Sequence, residues 1–285
     1  MNFMDERKKA NGNQILDSIR FSTTKLVVKK NSGEISIGTG FFFYLRRNEN
    51  EIWPLLVTNR HLIEDWQTMN FNVLKADQKD EPLIGDSEEL LIQHSDGSWI
   101  SHPRMDLSVF PIHQIIDRKQ SSGVKLYFKY IPSELIPTKD NINMISSIED
   151  ILMIGYPDGM SDSKNNLPIV RRGITATDYK IDYEGEKEFL IDASIFKGSS
   201  GSPILICNIG SFNNADGELC LGNRIIFLGI QYRGEFSKYQ HNIYIRNTAG
   251  EFVNAPEILS TYFNDLGFCV KSECLLDFKS ILEKE

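Results

Sequence analysis

Short runs of β-branched and aromatic residues, each cut off by glycine, asparagine or serine, recur along this chain in two sets. Such runs pack well on a pleated surface and poorly in a helix, so the pattern argues for strands. The first set holds Thr24–Val28, Ser36–Leu45, Trp53–Thr58, Met105–Pro111 and weaker runs near Phe71–Leu74 and Glu89–Ile92. A more polar stretch from His113 to about Asn143, with turn residues at Ser121–Gly123 and Pro137, is predicted to cross between two halves. The second set holds Ile151–Pro157, Ile169–Thr177, Phe189–Ser194, Ile204–Cys207, Ile225–Tyr232 and Phe268–Val270. Helix is confined to the ends: residues 1–19 form an extension with a short helix, and Cys274–Leu282 has apolar residues at helical spacing, predicting a helix over 274–285. The expected fold is all-β. It has two β-barrels of the six-stranded type, the first over about 20–115, the crossing over about 113–143 and the second over about 144–270.

Composition narrows the function. A net charge of -8 argues against a phosphate-binding surface, and the basic pairs (Lys29–Lys30, Arg46–Arg47, Arg171–Arg172) are short and scattered, so no nucleic-acid partner is expected. No stretch is apolar for long enough to span a membrane, and Met1–Lys9 has no apolar run after its charges, so neither a membrane nor a secretory leader is expected. Cys207, Cys220, Cys269 and Cys274 contain no CxxC pair. Metal or disulfide use stays open to them, but the favoured reading is four reduced thiols of a cytoplasmic protein, with no metal and no cofactor expected.

One loop carries chemistry. Gly198-Ser199-Ser200-Gly201-Ser202-Pro203 lies between two apolar runs, and its glycines permit a tight turn that exposes a side chain and aims backbone amides at a ligand. Acyl transfer asks for that combination, a hydroxyl nucleophile beside N–H donors for a developing oxyanion. A plain glycine- and serine-rich turn fits this stretch equally well, and Ser199 or Ser202 competes with Ser200 for the role. Two other segments decide. Thr58-Asn59-Arg60-His61-Leu62 sets a histidine just after a buried strand, and Asp106-Leu107-Ser108-Val109-Phe110 sets a carboxylate at the head of one. Taken singly, His61 reads as a structural histidine and Asp106 as a strand-end cap; His94, His102, His113 and His241 keep the structural reading.

In the order His61, Asp106, Ser200, spaced by 45 and 94 residues, the chain resembles the chymotrypsin/trypsin-like serine peptidases over roughly residues 20–275. The wording Thr-Asn-Arg-His and Gly-Ser-Ser-Gly-Ser-Pro, with Gly38-Thr39-Gly40-Phe41 and Gly155-Tyr156-Pro157, is most similar to bacterial glutamyl-endopeptidase-like and HtrA-like members. That resemblance implies Ser200 as nucleophile, His61 as general base and then acid, Asp106 as the group orienting His61, and the Gly198 and Ser200 amides as the oxyanion hole. It also implies that Ser194–Phe196, Gly229–Gly234 and the chain around Gly267 line the pocket for the side chain before the cleaved bond. Ser194, Gln231, Arg233 and Gly267 are the candidate pocket residues. None is a carboxylate, so an Arg/Lys preference is not supported, and Arg233 would favour an acidic side chain unless it is a solvated surface residue.

The chain also departs from the family. No Ile-Val-Gly-Gly-like sequence follows a basic cleavage site, so the oxyanion loop has to be ordered without a freed N-terminus. Ser199 stands where Asn or Asp is common, the extracellular disulfide pattern is missing, and no PDZ-like domain is expected after the second barrel. The resulting expectation is a bacterial, cytoplasmic serine endopeptidase acting on polypeptide and restrained by a regulatory protein partner. Association with stress-response or anti-phage systems is implied by resemblance alone. The rival is a catalytically silent trypsin-like scaffold or binding module; a weaker one is an esterase using the same site.

Overall fold

A computed structural model describes residues 16, 18–139, 141–241, 244–246, 248–250, 252–254 and 258–284. The first half is built from β1 (Thr23–Lys30), β2 (Ile35–Arg46), β3 (Ile52–Thr58), β4 (Trp66–Ala76) and β5 (Pro82–Gln93), with short β6 (Ile100–Ser101) and β7 (Ser108–Pro111). They form one sheet in the order β5-β4-β1-β2-β3-β7-β6. The polar crossing does more than link the halves. It contains helix His113–Ser121, then β8 (Leu126–Tyr127), which pairs with β4, and β9 (Ile131–Pro132), which pairs in parallel with β2.

The second half is a closed barrel. Its strands are β10 (Asp150–Gly155), β11 (Ile169–Thr175), β12 (Glu188–Asp192) and β13 (Pro203–Asn208), followed, after the small hairpin β14 (Ser211–Asn213) and β15 (Leu219–Leu221), by the long β16 (Arg224–His241). A second hairpin, β17 (Tyr244–Arg246) with β18 (Phe252–Asn254), precedes β19 (Ile258–Lys271), and the barrel closes in the order β10-β11-β12-β19-β16-β13. β16 and β19 stay paired well past the barrel, to His241 and Ile258. At the end, a 3-10 segment Ser272–Asp277 leads into the short α-helix Phe278–Leu282, shorter than the helix expected over 274–285. Most of the N-terminal extension lies outside the described residues.

Strand periodicity explains why the run Phe41–Leu45 is apolar throughout. Phe41, Phe43 and Leu45 face one core and Phe42 the other, because successive side chains point to opposite faces of a sheet. The core under Phe42 also holds Leu26, Leu56 and Phe110 and fills the first half. The core under Phe41 lies between the halves, where Phe41 meets Phe227 edge-on at 5.5 Å and Leu205, Val270, Leu275 and Phe278 join it. Burying each of these side chains contributes roughly 1.5–3 kcal/mol. β13 divides in the same way: Ile204 and Ile206 fill the barrel while Leu205 faces the seam. The C-terminal segment is therefore part of the seam, and the two halves are held against each other where β1 and β2 meet β10 and the loop before β13.

Candidate active site

Buried β3 delivers His61 to the seam. The strand runs fully buried from Leu55 to Thr58, Asn59 precedes a single helical turn, Arg60–Ile63, and His61 emerges on it with its side chain 47% exposed. Asp106 Oδ1 accepts the His61 backbone N–H at 2.9 Å while Oδ2 lies 2.6 Å from His61 Nδ1. The Asn59 amide donates to the Asp106 carbonyl at 2.8 Å, so the histidine turn and the carboxylate are tied together three times. Burial alone would raise the Asp106 carboxyl; hydrogen bonds from His61 and the charges of His61 and Arg60 outweigh it and hold the group below the ordinary carboxylate range. An ionised carboxylate only accepts, so the proton between them sits on Nδ1, leaving the Nε2 lone pair free to act as a base.

The loop that presents Asp106 is braced from behind. His102, 2% exposed, accepts the N–H groups of Arg104 and Met105 at Nδ1 (3.2 and 2.9 Å), and its Nε2 lies 3.1 Å from Asp277 Oδ2 in the C-terminal segment. The structural reading of His102 holds. His94, bonded through Nε2 to the Trp66 carbonyl and stacked on the Trp66 ring, is structural too. The side chain of His241 lies outside the described residues.

The Ser200 loop is stitched by its backbone to the strands that lead to His61. Thr39 N–H donates to the Ser200 carbonyl at 2.8 Å and Thr58 Oγ1 donates to the Thr39 carbonyl at 2.7 Å, joining the loop to β2 and to the end of β3. Gly38 lies where the segments converge. A Cβ there would sit 2.5 Å from the side chain of Leu62, the neighbour of His61, and 3.2 Å from the Ser200 carbonyl. Gly201, at φ +90°, is forced as well, since a Cβ would fall 1.9 Å from the Thr39 carbonyl oxygen. The competing serines are sealed, Ser199 at 1% and Ser202 at 0% exposure, while Ser200 is half-buried at the seam. The Ser200 hydroxyl donates to the Tyr232 carbonyl at 3.2 Å, and among the described residues it has no hydrogen bond to His61. The structure thus pairs His61 with Asp106, while Ser200 lies on a loop tied to β2 with its hydroxyl turned to β16.

The loop ahead of Ser200 is ordered by a device that sequence reading missed. Asp158 N–H donates to the Lys197 carbonyl at 2.5 Å and Thr39 Oγ1 to the Gly198 carbonyl at 3.1 Å, while Ser199 N–H closes a turn onto the Phe196 carbonyl at 3.1 Å. Gly198 sits at φ +88° in that turn. The C=O and N–H of a trans peptide point in opposite directions, so fixing the Lys197 oxygen on Asp158 turns the Gly198 N–H away from it. Among the described residues neither the Gly198 nor the Ser200 N–H meets an acceptor, so two neighbouring amides are left without one. The local cue is Asp158-Gly159 after Gly155-Tyr156-Pro157: both residues take positive φ, +51° and +71°, in a tight turn that aims the Asp158 N–H at the loop.

The candidate pocket residues are not all alike. Ser194 is exposed, and its carbonyl accepts from the Arg171 guanidinium, which stacks on Phe196 at 4.6 Å. Gln231 is 1% exposed; its carbonyl takes the Gly201 N–H at 2.8 Å, and its Oε1 has no partner among the described residues. Arg233 is exposed, with its guanidinium carbon 3.8 Å from the Phe268 ring centroid. Gly267 pairs across the sheet with Gly234. Tyr232 donates its hydroxyl to Glu188 Oε2 at 3.0 Å; burial first, then the Glu188 charge, push that phenol up. Among the described residues no three His, Cys, Asp or Glu side chains converge as a metal site requires. No described helix is long and apolar enough to cross a membrane.

No family model and no curated protein matches the chain. Solved structures do. The HtrA-type protease AlgW with tripeptide aligns over 96% of this chain at 17% identity and TM-score 0.49, and the chain spans 64% of that protein's length. A serine endoprotease from Yersinia pestis aligns over 97% of this chain and 68% of its own at 16% identity and TM-score 0.46. An inactive mutant of Rv3671c from M. tuberculosis H37Rv aligns over 95% and 91% at 12% identity and TM-score 0.43. These are likenesses of overall shape. A closed six-stranded barrel packed with a second sheet gives the chain the all-β architecture expected from its sequence.

Proposed function

We propose that the protein is a serine endopeptidase that hydrolyses peptide bonds in polypeptides through an acyl-enzyme. The observation that carries this reading is the pairing of His61 with Asp106 at 2.6 Å together with a half-buried Ser200 whose loop leaves two amides without acceptors. For reaction, the Ser200 hydroxyl leaves the Tyr232 carbonyl and turns to His61. Oγ attacks the carbonyl carbon, its proton passes to His61 Nε2, and the carbonyl electron pair moves onto oxygen between the Gly198 and Ser200 amides. The C–N bond then breaks as His61 returns that proton to the departing nitrogen. Water repeats the sequence on the ester: its proton goes to His61, the Oγ–C bond breaks, and Ser200 recovers the proton. Asp106 keeps the proton of His61 on Nδ1 and stabilises the imidazolium. Each oxyanion donor is worth roughly 2.7–4 kcal/mol in the transition state.

The four cysteines are free thiols, which supports a reducing, cytoplasmic setting. A cytoplasmic peptidase requires restraint, and the Ser200 hydroxyl held on Tyr232 supports a resting state released by substrate or by a regulatory protein. The same contact favours the second reading, a silent scaffold. A fluorophosphonate probe separates the two. Labelling read by intact mass, lost in Ser200→Ala and in His61→Ala, supports the peptidase; wild-type protein that stays unlabelled alone and in cell lysate refutes it.

A further inference from the structure

We infer that Ile195 closes the niche receiving the side chain on the acyl side of the cleaved bond, so that the substrate residue there is glycine, alanine or serine. The inference rests on the peptidase reading above and adds a substrate class to it. The starting point is an open edge. β13 and β16 pair only as far as Pro203 with Ile230, and the last links on that side join Gln231 to Gly201 and Ser202. From Tyr232 to Gly234, β16 pairs with β19 alone, and the first carbonyl of the free edge is the one that holds the Ser200 hydroxyl. An extended peptide adds naturally to such an edge. With its carbonyl carbon at Ser200 Oγ and its oxygen toward the Gly198 and Ser200 amides, the adjoining side chain enters the space between the Ile195–Phe196 segment and the facing strands β16 and β19.

In that space Gly234 and Gly267 sit directly opposite each other in register. Two cross-strand glycines leave a slot with no side chains, and the slot is occupied. A Cβ on Gly234 would stand 2.7 Å from Ile195 Cγ2, and one on Gly267 would stand 2.9 Å from Ile195 Cδ1. Ile195 is 4% exposed and belongs to the barrel core with Ile191 and Ala193. Its neighbours hold it there. Ala193 N–H donates to the Asp265 carbonyl at 2.9 Å, and Arg171 grips the Ser194 carbonyl while stacking on Phe196. The glycines therefore make room for an isoleucine, and a β-branched side chain packed from behind cannot swing aside for a large substrate group.

The test uses peptidyl diphenyl phosphonates that differ only in the last residue, the analogue of alanine, valine or phenylalanine. Their inactivation rates are read by intact mass beside a small fluorophosphonate. In each diphenyl phosphonate Ser200 Oγ forms a bond to phosphorus, its proton passes to His61 and phenoxide leaves, whereas the fluorophosphonate loses fluoride, so no natural substrate is needed. Expected for the wild type is a rate at least about 100-fold higher with the alanine than with the phenylalanine reagent, the scale on which a closed pocket rejects bulk. Ile195→Ala brings the two within about tenfold, and Ile195→Val, which removes one methylene, gives an intermediate ratio. Equal rates in the wild type, or a ratio unchanged in both variants, overturn the role of Ile195 while leaving the nucleophile established. Failure of the small fluorophosphonate to label Ser200 overturns the peptidase reading instead, and the inference with it.

Discussion

Replacing Asp106 by asparagine separates a working triad from a merely stacked one, because the geometry dictates how the amide must sit. Asp106 performs two acceptor duties, one oxygen for the His61 backbone N–H at 2.9 Å and the other facing Nδ1 at 2.6 Å. Asparagine has one oxygen. The backbone N–H can only donate, so it claims that oxygen and sets the NH2 group opposite Nδ1. His61 must then accept at Nδ1 and carry its proton on Nε2, which removes the lone pair needed to take the Ser200 proton. The expected loss is about 10⁴-fold in kcat, or roughly 5.4 kcal/mol at 1.36 kcal/mol per decade. The assay is the second-order rate of fluorophosphonate labelling, with the circular dichroism spectrum as a control for folding. Labelling within tenfold of wild type in a folded Asp106→Asn variant would refute the assignment of base and orienting group. The same variant bears on acid stability. Because the folded carboxyl is depressed below its usual 3.8, its stabilisation is complete above that value and lost as pH falls through the folded pKa. Below pH 3.8 the wild type should therefore lose stability more steeply than Asp106→Asn.

Other outcomes follow from single contacts. Gly198→Ala places a Cβ 2.6 Å from the Tyr156 carbonyl at φ +88° and shifts the peptide held by Asp158; kcat should fall by roughly 10²–10³ in a folded protein, and a change under threefold would sink the oxyanion assignment. Arg224 and Glu149, each 7% exposed, are joined by two bonds of 2.6 and 3.1 Å, so Glu149→Ala strands a buried guanidinium and should cost about 3–5 kcal/mol in urea unfolding. Burial pushes the thiols of Cys207 and Cys274 up to about 12 and raises that of Cys269 well above its ordinary value, so at pH 8 a disulfide reagent should titrate Cys220 in the native protein and the other three only after denaturation. Prompt reaction of all four would contradict this packing.

Much of the fold is written in local pattern. The continuously apolar runs Leu55–Val57, Ile204–Cys207 and Phe41–Leu45 carry their burial in residue type, because a strand between two cores has no polar face to offer. The extension of β16 and β19 to His241 and Ile258 is not legible in this way. Phe236, Tyr239 and Tyr262 stand about half exposed there, so side-chain burial does not select the residues, and the main-chain pairing that holds the ribbon is invisible in one dimension. Nor does the polar crossing announce β8 and β9, two-residue strands too short to show a period.

The site divides along the same line. Sequence alone determined which groups could do chemistry, since a histidine after a buried strand, an aspartate before one and a serine between glycines are matters of residue identity and order. Tertiary structure decided which serine is reachable, because Ser199 and Ser202 are sealed by packing from β2 and from the loop itself. It decided how the loop ahead of Ser200 is held, since the Asp158 N–H is a backbone group that every residue but proline carries and no sequence position marks it as special. It also decided that the slot between Gly234 and Gly267 is filled by Ile195, a residue that reads as an ordinary core side chain until the strands on either side are brought into register. Identity and local period are properties of the chain; which side chain fills which space is a property of the packing, and only the folded molecule contains it.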